Sequence, residues 1–289
     1  MALAIATNNA ALNAAASASS VNRDMETSMA RLSTGKRINS ASDDAAGVAI
    51  SSRLSAEIRG TDQAIRNSLD GQALIDTAEG AHKEIENILQ RMREVTVQAA
   101  NDTNNGQDRD NLQAEMDAMV TEIDRIAGTT TWAGTNLMDA SGGTQFSFQV
   151  GTATGAQNQI AVTIASMNAK GLSVGDGTAS LVRVDDATSG DGSGDVRARA
   201  GTALIDTAIK DVNIQRSKLG AVSNRLNHTV NNLTNISSNL SAAKGGIEDA
   251  DFALETTNLA KNQILQQAST AMLAQANASK QNVLSLLQG

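Results

Sequence analysis

The sequence predicts a mainly α protein, a long antiparallel coiled-coil or helical bundle with a small β-hairpin region in the middle of the chain. Three observations carry this. First, Ile205, Ala208, Val212, Gln215, Leu219, Val222, Leu226, Thr229, Leu233, Ile236, Leu240 and Ala243 follow one another in unbroken steps of three and four, the seam of a coiled coil. Second, the 289 residues include no Pro, no Cys and no Tyr, with one Trp and three Phe. Average usage is about 5% Pro, so its absence suits long uninterrupted helices. Third, two short central runs alternate apolar and polar residues.

In chain order, residues 1–34 form one Ala-rich helix with a thin apolar face. Leu3, Ile5 and Leu12 stand among small residues, and Val21, Met25, Met29 and Leu32 follow at helical spacing. Such a helix is marginal alone. Thr34-Gly35-Lys36-Arg37 breaks it. Ser40 to Asp44 read as a helix start, with Ser hydroxyls capping free amides and Asp43 and Asp44 favoured by the dipole. The long helix that follows to about Ala100 carries Val48, Leu54, Ile58, Ile65, Leu69, Ala78, His82, Ile85, Leu89, Met92 and Ala99. After the turn at residues 101–106, a third helix has Leu112, Met116, Met119, Ile123 and Ile126 on its stripe, with Gly128 placed to end it.

Phe146, Phe148 and Val150, then Ile160, Val162 and Ile164, alternate with polar residues around Gly151–Gly155. They predict a hairpin at about 144–165. Residues 170–201, rich in Gly, Asp, Ser and Thr, read as exposed loops. The rod from Ile205 ends at Gly245-Gly246. A last helix carries Phe252, Leu259, Ile264, Leu265, Met272, Leu273, Val283, Leu286 and Leu287. The plan is symmetric: a weak amphipathic helix at each terminus, long heptad helices inside them, β structure between. The chain goes out and returns, and the terminal helices order by packing on other copies.

The net charge of −8 and the absence of a basic stripe exclude nucleic acid as a partner. No apolar run approaches the ~20 residues that span a bilayer, and the N-terminus lacks the basic region of a cleaved signal peptide. No disulfide or thiolate metal site is available. His82 and His228 have no ligand-spaced neighbours, so His82 reads as a core residue. Asp43-Asp44 and Glu248, Asp249 and Asp251 sit at helix starts, where carboxylates favour the dipole rather than acid–base chemistry. The oxygen-rich loop from Asp185 to Asp195 lacks EF-hand spacing. Catalytic, metal and cofactor sites are therefore expected to be absent, and the chain is not expected to be an enzyme.

Arg31-Leu32-Ser33-Thr34-Gly35-Lys36-Arg37-Ile38-Asn39-Ser40-Ala41-Ser42-Asp43-Asp44-Ala45-Ala46-Gly47 closely resembles the N-terminal signature of bacterial flagellins. Ile247 to Phe252, Gln263 to Ala268 and Asn282 to Leu287 resemble the C-terminal signature. The resemblance covers about residues 1–140 and 200–289. It implies a secreted structural subunit that polymerises into the flagellar filament, an extracellular helical propeller for swimming. It implies type III export without a cleaved signal, and as partners other copies of itself, the export apparatus, a flagellin chaperone, the filament cap and the hook-junction proteins. It further implies a patch sensed by a host Toll-like receptor at Gln90, Arg91, Val95 and Glu115, with Val95 standing where the family usually has Leu.

The organisation expected on this basis has three parts. A terminal-helix inner-core domain comprises 1–42 and 247–289, with self-assembly through Leu3, Ile5, Leu12, Val21, Met25, Met29, Leu32, Ile264, Leu265, Met272, Leu273, Val283, Leu286 and Leu287. A helical rod domain comprises 43–170 and 200–246, with its seam at Leu89, Met92, Leu112, Met116, Met119, Ile123, Leu219, Val222, Leu226, Leu233, Ile236 and Leu240. Residues 171–199 are a short variable surface segment, which implies a thin filament with a small outer projection. Two alternatives stay open at this level: a hook–filament junction protein, and a secreted coiled-coil host-binding effector.

Overall fold

The computed structural model describes residues 7–139, 142–176, 180–185 and 194–288, with side chains as far as Ser279. Leu3, Ile5, the side chains of Val283, Leu286 and Leu287, and most of the oxygen-rich loop lie outside the described residues. The helices are α1 (Asn9–Thr34), α2 (Ala45–Ala99), α3 (Gly106–Thr129), α4 (Gly194–Glu248) and α5 (Phe252–Gln288). The chain forms two compact units, residues 1–58 with 238–289 (unit 1) and residues 59–237 (unit 2). The division falls inside α2 and α4.

Local chemistry sets the helix ends. The Asn8 carboxamide accepts a bond from the Ala11 amide, and Gly35, at φ +70°, closes α1 in the left-handed conformation that glycine adopts freely. Asp44 caps α2 by accepting from the Gly47 amide at 2.8 Å. The serines of the loop do not cap it: Ser40 and Ser42 bond each other, and Asp43 accepts from the Asn39 and Ser40 amides. Those backbone bonds, Ser40 first, hold the Asp43 carboxyl below its ordinary range. Asn105 and Asp108 form a reciprocal capping box on α3. Gly128 lies within α3, which ends at Thr129 because the Asn136 amide bonds the free carbonyls of Ala127 and Gly128.

Unit 2 holds the main apolar core. Its largest buried side chains include Leu74, Ile75, Ile85, Leu89, Met92, Met116, Ile123, Ile205 and Leu219. On α4 the seam positions Leu219, Leu226 and Leu233 are buried, while Val222, Ile236 and Leu240 are half-buried. On α3 the buried stripe is Arg109, Gln113, Met116, Val120, Ile123 and Ala127. It is rotated from the sequence expectation, so Leu112, Met119 and Ile126 flank the core half-buried. In the first half of α2 the buried positions are Gly47, Ser51, Thr61, Ala64, Ser68 and Gly71, and Leu69 is exposed. A seam of small residues there lets neighbours approach closely: a Cβ on Gly71 would sit 3.2 Å from the Phe148 ring.

Strands β1 (Thr131–Trp132) and β2 (Thr135–Asn136) make a minimal antiparallel pair that the sequence reading missed. Strands β3 (Thr144–Gln149) and β4 (Gln159–Ile164) pair antiparallel with Phe146 opposite Val162 and Phe148 opposite Ile160. Ile160, Val162 and Ile164 turn inward, and the Gln215 amide donates to the Thr163 carbonyl at 2.8 Å.

Two expectations are corrected here. Helix α4 begins at Gly194, well before Ile205, and runs through Gly245-Gly246, whose conformational freedom does not end a helix when the flanking residues favour it. The described residues of 170–201 are not all exposed loop: Leu172, Val174, Val182, Val184 and Ala198 are buried, and those from Gly194 on are helical. Gln113 pins this strap, its carboxamide oxygen accepting from the Val184 amide at 2.8 Å and its nitrogen donating to the Val182 carbonyl at 3.4 Å. Gln113→Ala strands the buried Val184 amide, while the Val182 carbonyl keeps the Ser180 hydroxyl as its donor. It is expected to cost unit 2 about 1–3 kcal/mol, read by urea denaturation, and to speed tryptic cleavage after Arg183.

Candidate assembly interface

In unit 1, α1 and α5 run antiparallel. Arg31 Nη1 donates to Glu255 Oε1 at 2.9 Å, Gln266 Nε2 to Asn22 Oδ1 at 2.7 Å, and Asn8 Nδ2 to the Ala276 carbonyl at 3.1 Å. The facing positions step by three and four on both helices. They are Ala11, Ala14, Ala18, Val21, Met25, Ser28 and Leu32 on α1, and Glu255, Leu259, Asn262, Gln266, Ser269, Leu273 and Ala276 on α5. This seam mixes small and polar residues with five larger apolar ones, Val21, Met25, Leu32, Leu259 and Leu273, all of them only half-buried.

The large apolar side chains of these helices mostly point elsewhere. Leu12, Met29, Phe252, Leu254, Ile264, Leu265 and Met272 are exposed, Ile264 at 67% and Met272 at 66%. The expected self-assembly residues therefore divide. Val21, Met25, Leu32 and Leu273 line the internal seam, whereas Leu12, Met29, Ile264, Leu265 and Met272 face away from it. Leu254 was not anticipated, because it directly follows the helix start and belongs to no stripe. Asp251 makes that start, accepting from the Ala253 and Leu254 amides.

The two inter-helix loops of unit 1 are joined to each other. The Arg37 amide donates to the Glu248 carbonyl at 2.6 Å and the Ala250 amide to the Gly35 carbonyl at 3.0 Å. The Lys36 ammonium lies 3.1 Å from the Glu248 carboxylate. Ile38 is buried beside Gly47, where an added Cβ would meet its Cδ1 at 2.5 Å. The two signature stretches thus form one clamp.

On unit 2, Arg91 bonds Glu115 through Nε and Nη2 at 3.1 and 2.9 Å, and Glu94 through Nη1 at 3.0 Å. These bonds, Glu115 first, raise the guanidinium pKa further. Arg91 and Gln90 are exposed and Glu115 is partly so. Val95 does not belong with them. It is 0% exposed and sits in the core, because it shares the inward stripe with Met92 and Ala99. Among the described residues no three His, Asp or Glu side chains cluster to hold a metal, and no helix is long and apolar enough to cross a membrane.

The comparisons with known proteins agree over both ends of the chain. The bacterial flagellin N-terminal helical region matches residues 5–142, and the bacterial flagellin C-terminal helical region matches residues 202–287. A flagellin of Bacillus subtilis (strain 168) is 43% identical over 97% of this chain and 98% of its own length. A flagellin of Halalkalibacterium halodurans is 44% identical over 90% of each chain. The crystal structure of Bacillus cereus flagellin, 32% identical, covers 62% of this chain and 94% of its own, with a TM-score of 0.47. The junction-protein and effector alternatives give way to the two matched family regions and the flagellin relatives. The chain belongs to the bacterial flagellin family and is a structural subunit of the flagellar filament.

Proposed function

We propose that the outward apolar residues of α1 and α5, chiefly Leu12, Met29, Ile264, Leu265 and Met272, are buried between copies when the chain polymerises. The observation that carries this is the thin seam of the α1–α5 pair, mixed small, polar and apolar, which leaves seven large apolar side chains exposed. Exposed apolar surface of this kind marks an interaction site. The terminal helices, about 1–42 and 247–289, then form the inner core of the filament, and the heptad helices with the hairpin form the shell around it. The role is structural and not enzymatic. The family further implies secretion by the type III route, with the export apparatus, a chaperone, the filament cap and hook-junction proteins as partners. Arg91, Gln90 and Glu115 are the exposed residues available to a host Toll-like receptor.

The test is electron microscopy of purified chain during slow addition of ammonium sulfate, which strengthens apolar burial. Long filaments of uniform width are expected. Closed oligomers of fixed size, or monomer at every concentration, overturn the reading.

A further inference from the structure

The α1 face of the seam opens on Ala11, Ala14 and Ala18, and the α5 face carries leucines only at Leu259 and Leu273. Small, repeated side chains specify register weakly, because a slide of one heptad brings equivalent positions together again. Two contacts do not survive such a slide. Glu255 is 5% exposed, and Arg31 is its ion-pair partner at 2.9 Å. Arg31 Nε and Glu255 Oε2 are buried with no other hydrogen-bond partner among the described residues. Gln266 and Asn22 bond amide to amide at 2.7 Å.

We propose that the Arg31–Glu255 ion pair, with the Asn22–Gln266 bond, locks the register of the α1–α5 pair and so fixes which outward apolar residues stand level for assembly. The assembly part of this rests on the filament reading above.

The pairings make the cost of a slip explicit. Moving α5 one heptad one way leaves Glu255 facing Asp24, two carboxylates together. Moving it the other way carries Glu255 past the end of α1 and sets Arg31 against Asn262. The same slides place Asn22 against Leu259 or Leu273. Each alternative register therefore separates the Arg31–Glu255 pair and parts the half-buried Asn22 and Gln266 amides, which is unfavourable. A buried polar residue that fixes coiled-coil register at the expense of stability is the best-attested use of such groups. Arg31 and Glu255 are positioning residues in this account. The competing explanation is the backbone clamp of Gly35 with Ala250 and Arg37 with Glu248, which also ties the ends of these helices together.

The chain has no cysteine, so register can be read by disulfide trapping in the full-length protein. Ala18 and Ser269 lie on facing seam positions, between the Asn22–Gln266 and Asn8–Ala276 contacts. The pair Ala18→Cys with Ser269→Cys reports the native register. Ala18→Cys with Asn262→Cys, or with Ala276→Cys, reports a slip of one heptad. On the native background the level pair is expected to close within the chain, and the slipped pairs to stay open.

The deciding background is Asn22→Leu, Arg31→Leu, Glu255→Leu and Gln266→Leu together. It keeps the helices paired through apolar contacts, read as undiminished helicity by circular dichroism. The slipped disulfides are expected to rise from trace to a major product, and assembled filaments to lose uniform width. The swap Arg31→Glu with Glu255→Arg is expected to restore the native disulfide alone. Slipped disulfides that remain absent in the four-leucine background assign register to the backbone clamp and overturn the proposal. Wild-type chain that makes no filaments overturns the filament reading instead, and leaves the intrachain disulfide pattern to be read on its own.

Discussion

Deleting residues 1–30, or residues 260–289, is expected to abolish polymerisation while leaving unit 2 folded. The first deletion removes most of α1, with Leu12 and Met29. The second removes most of α5, with Ile264, Leu265 and Met272. Fully burying a Leu, Ile or Met side chain contributes about 1.5–3 kcal/mol. The seven exposed apolar side chains of the pair thus offer on the order of 10 kcal/mol, comparable with the ~4–15 kcal/mol of freedom lost on association. At that balance the loss of either helix is decisive. It also deprives the surviving helix of its partner, since α1 and α5 face each other across a single seam and an isolated helix of this kind is marginal in water. Unit 2 spans residues 59–237 and shares none of the deleted sequence. Light scattering and electron microscopy after salt addition read the assembly, and a cooperative thermal transition by circular dichroism reads unit 2. Filaments from either truncation refute the assignment of the terminal helices.

The sequence made the architecture legible wherever apolar residues of ordinary size mark the buried stripe. On α4 every residue of the stripe from Ile205 to Leu240 is buried or half-buried, and only its last, Ala243, is exposed. The reading failed where buried positions are polar or small. Arg109 and Gln113 occupy the core stripe of α3, because their polar ends find the Ala99 carbonyl and the 182–184 backbone. Neither partner is visible in a helical period, so the predicted stripe shares Met116 and Ile123 with the observed one but sets Leu112, Met119 and Ile126 beside it. Thr61, Ala64, Ser68 and Gly71 disguise the inward face of α2 in the same way, so the helical period favours Leu69, which is exposed.

Composition misled at residues 170–185, where Gly, Ser and Asp suggested solvent. The informative signal was the alternation of Val182 and Val184 with Leu181 and Arg183, a strand-like period too short to stand out. For the assembly surface the apolar residues of the terminal helices were visible, but their direction was not. That depends on which face of each helix meets the other, and the partners lie more than two hundred residues apart in sequence.

Acidification from pH 7 to pH 5 is expected to destabilise unit 2 through His82, and His82→Leu to flatten that dependence. The imidazole is 0% exposed in the apolar seam of α2. Its Nδ1 lies 2.5 Å from the Ala78 carbonyl, which fixes that nitrogen as the donor, and Nε2 has no partner among the described residues. Burial is the largest influence and lowers the pKa. Arg216, approaching from α4, lowers it further, while the Ala78 carbonyl and Glu79 act the other way. Arg216 is itself engaged by Glu86 and Glu79, so little carboxylate charge remains to steady an imidazolium.

The folded chain therefore keeps His82 neutral at a pH where the unfolded chain, with an ordinary value of about 6.5, already binds the proton. Between the two values the unfolded state holds more protons, so stability rises with pH. His82 leaves stability intact above about pH 6.5 and erodes it as pH falls, at up to ~1.4 kcal/mol per pH unit for one proton, until the folded value is reached. Urea denaturation of wild type and His82→Leu at pH 7, 6 and 5 gives the comparison. Parallel curves across that range show that acid acts on unit 2 through other groups, and diverging curves with the variant the flatter identify His82 as the proton-sensitive residue of the core.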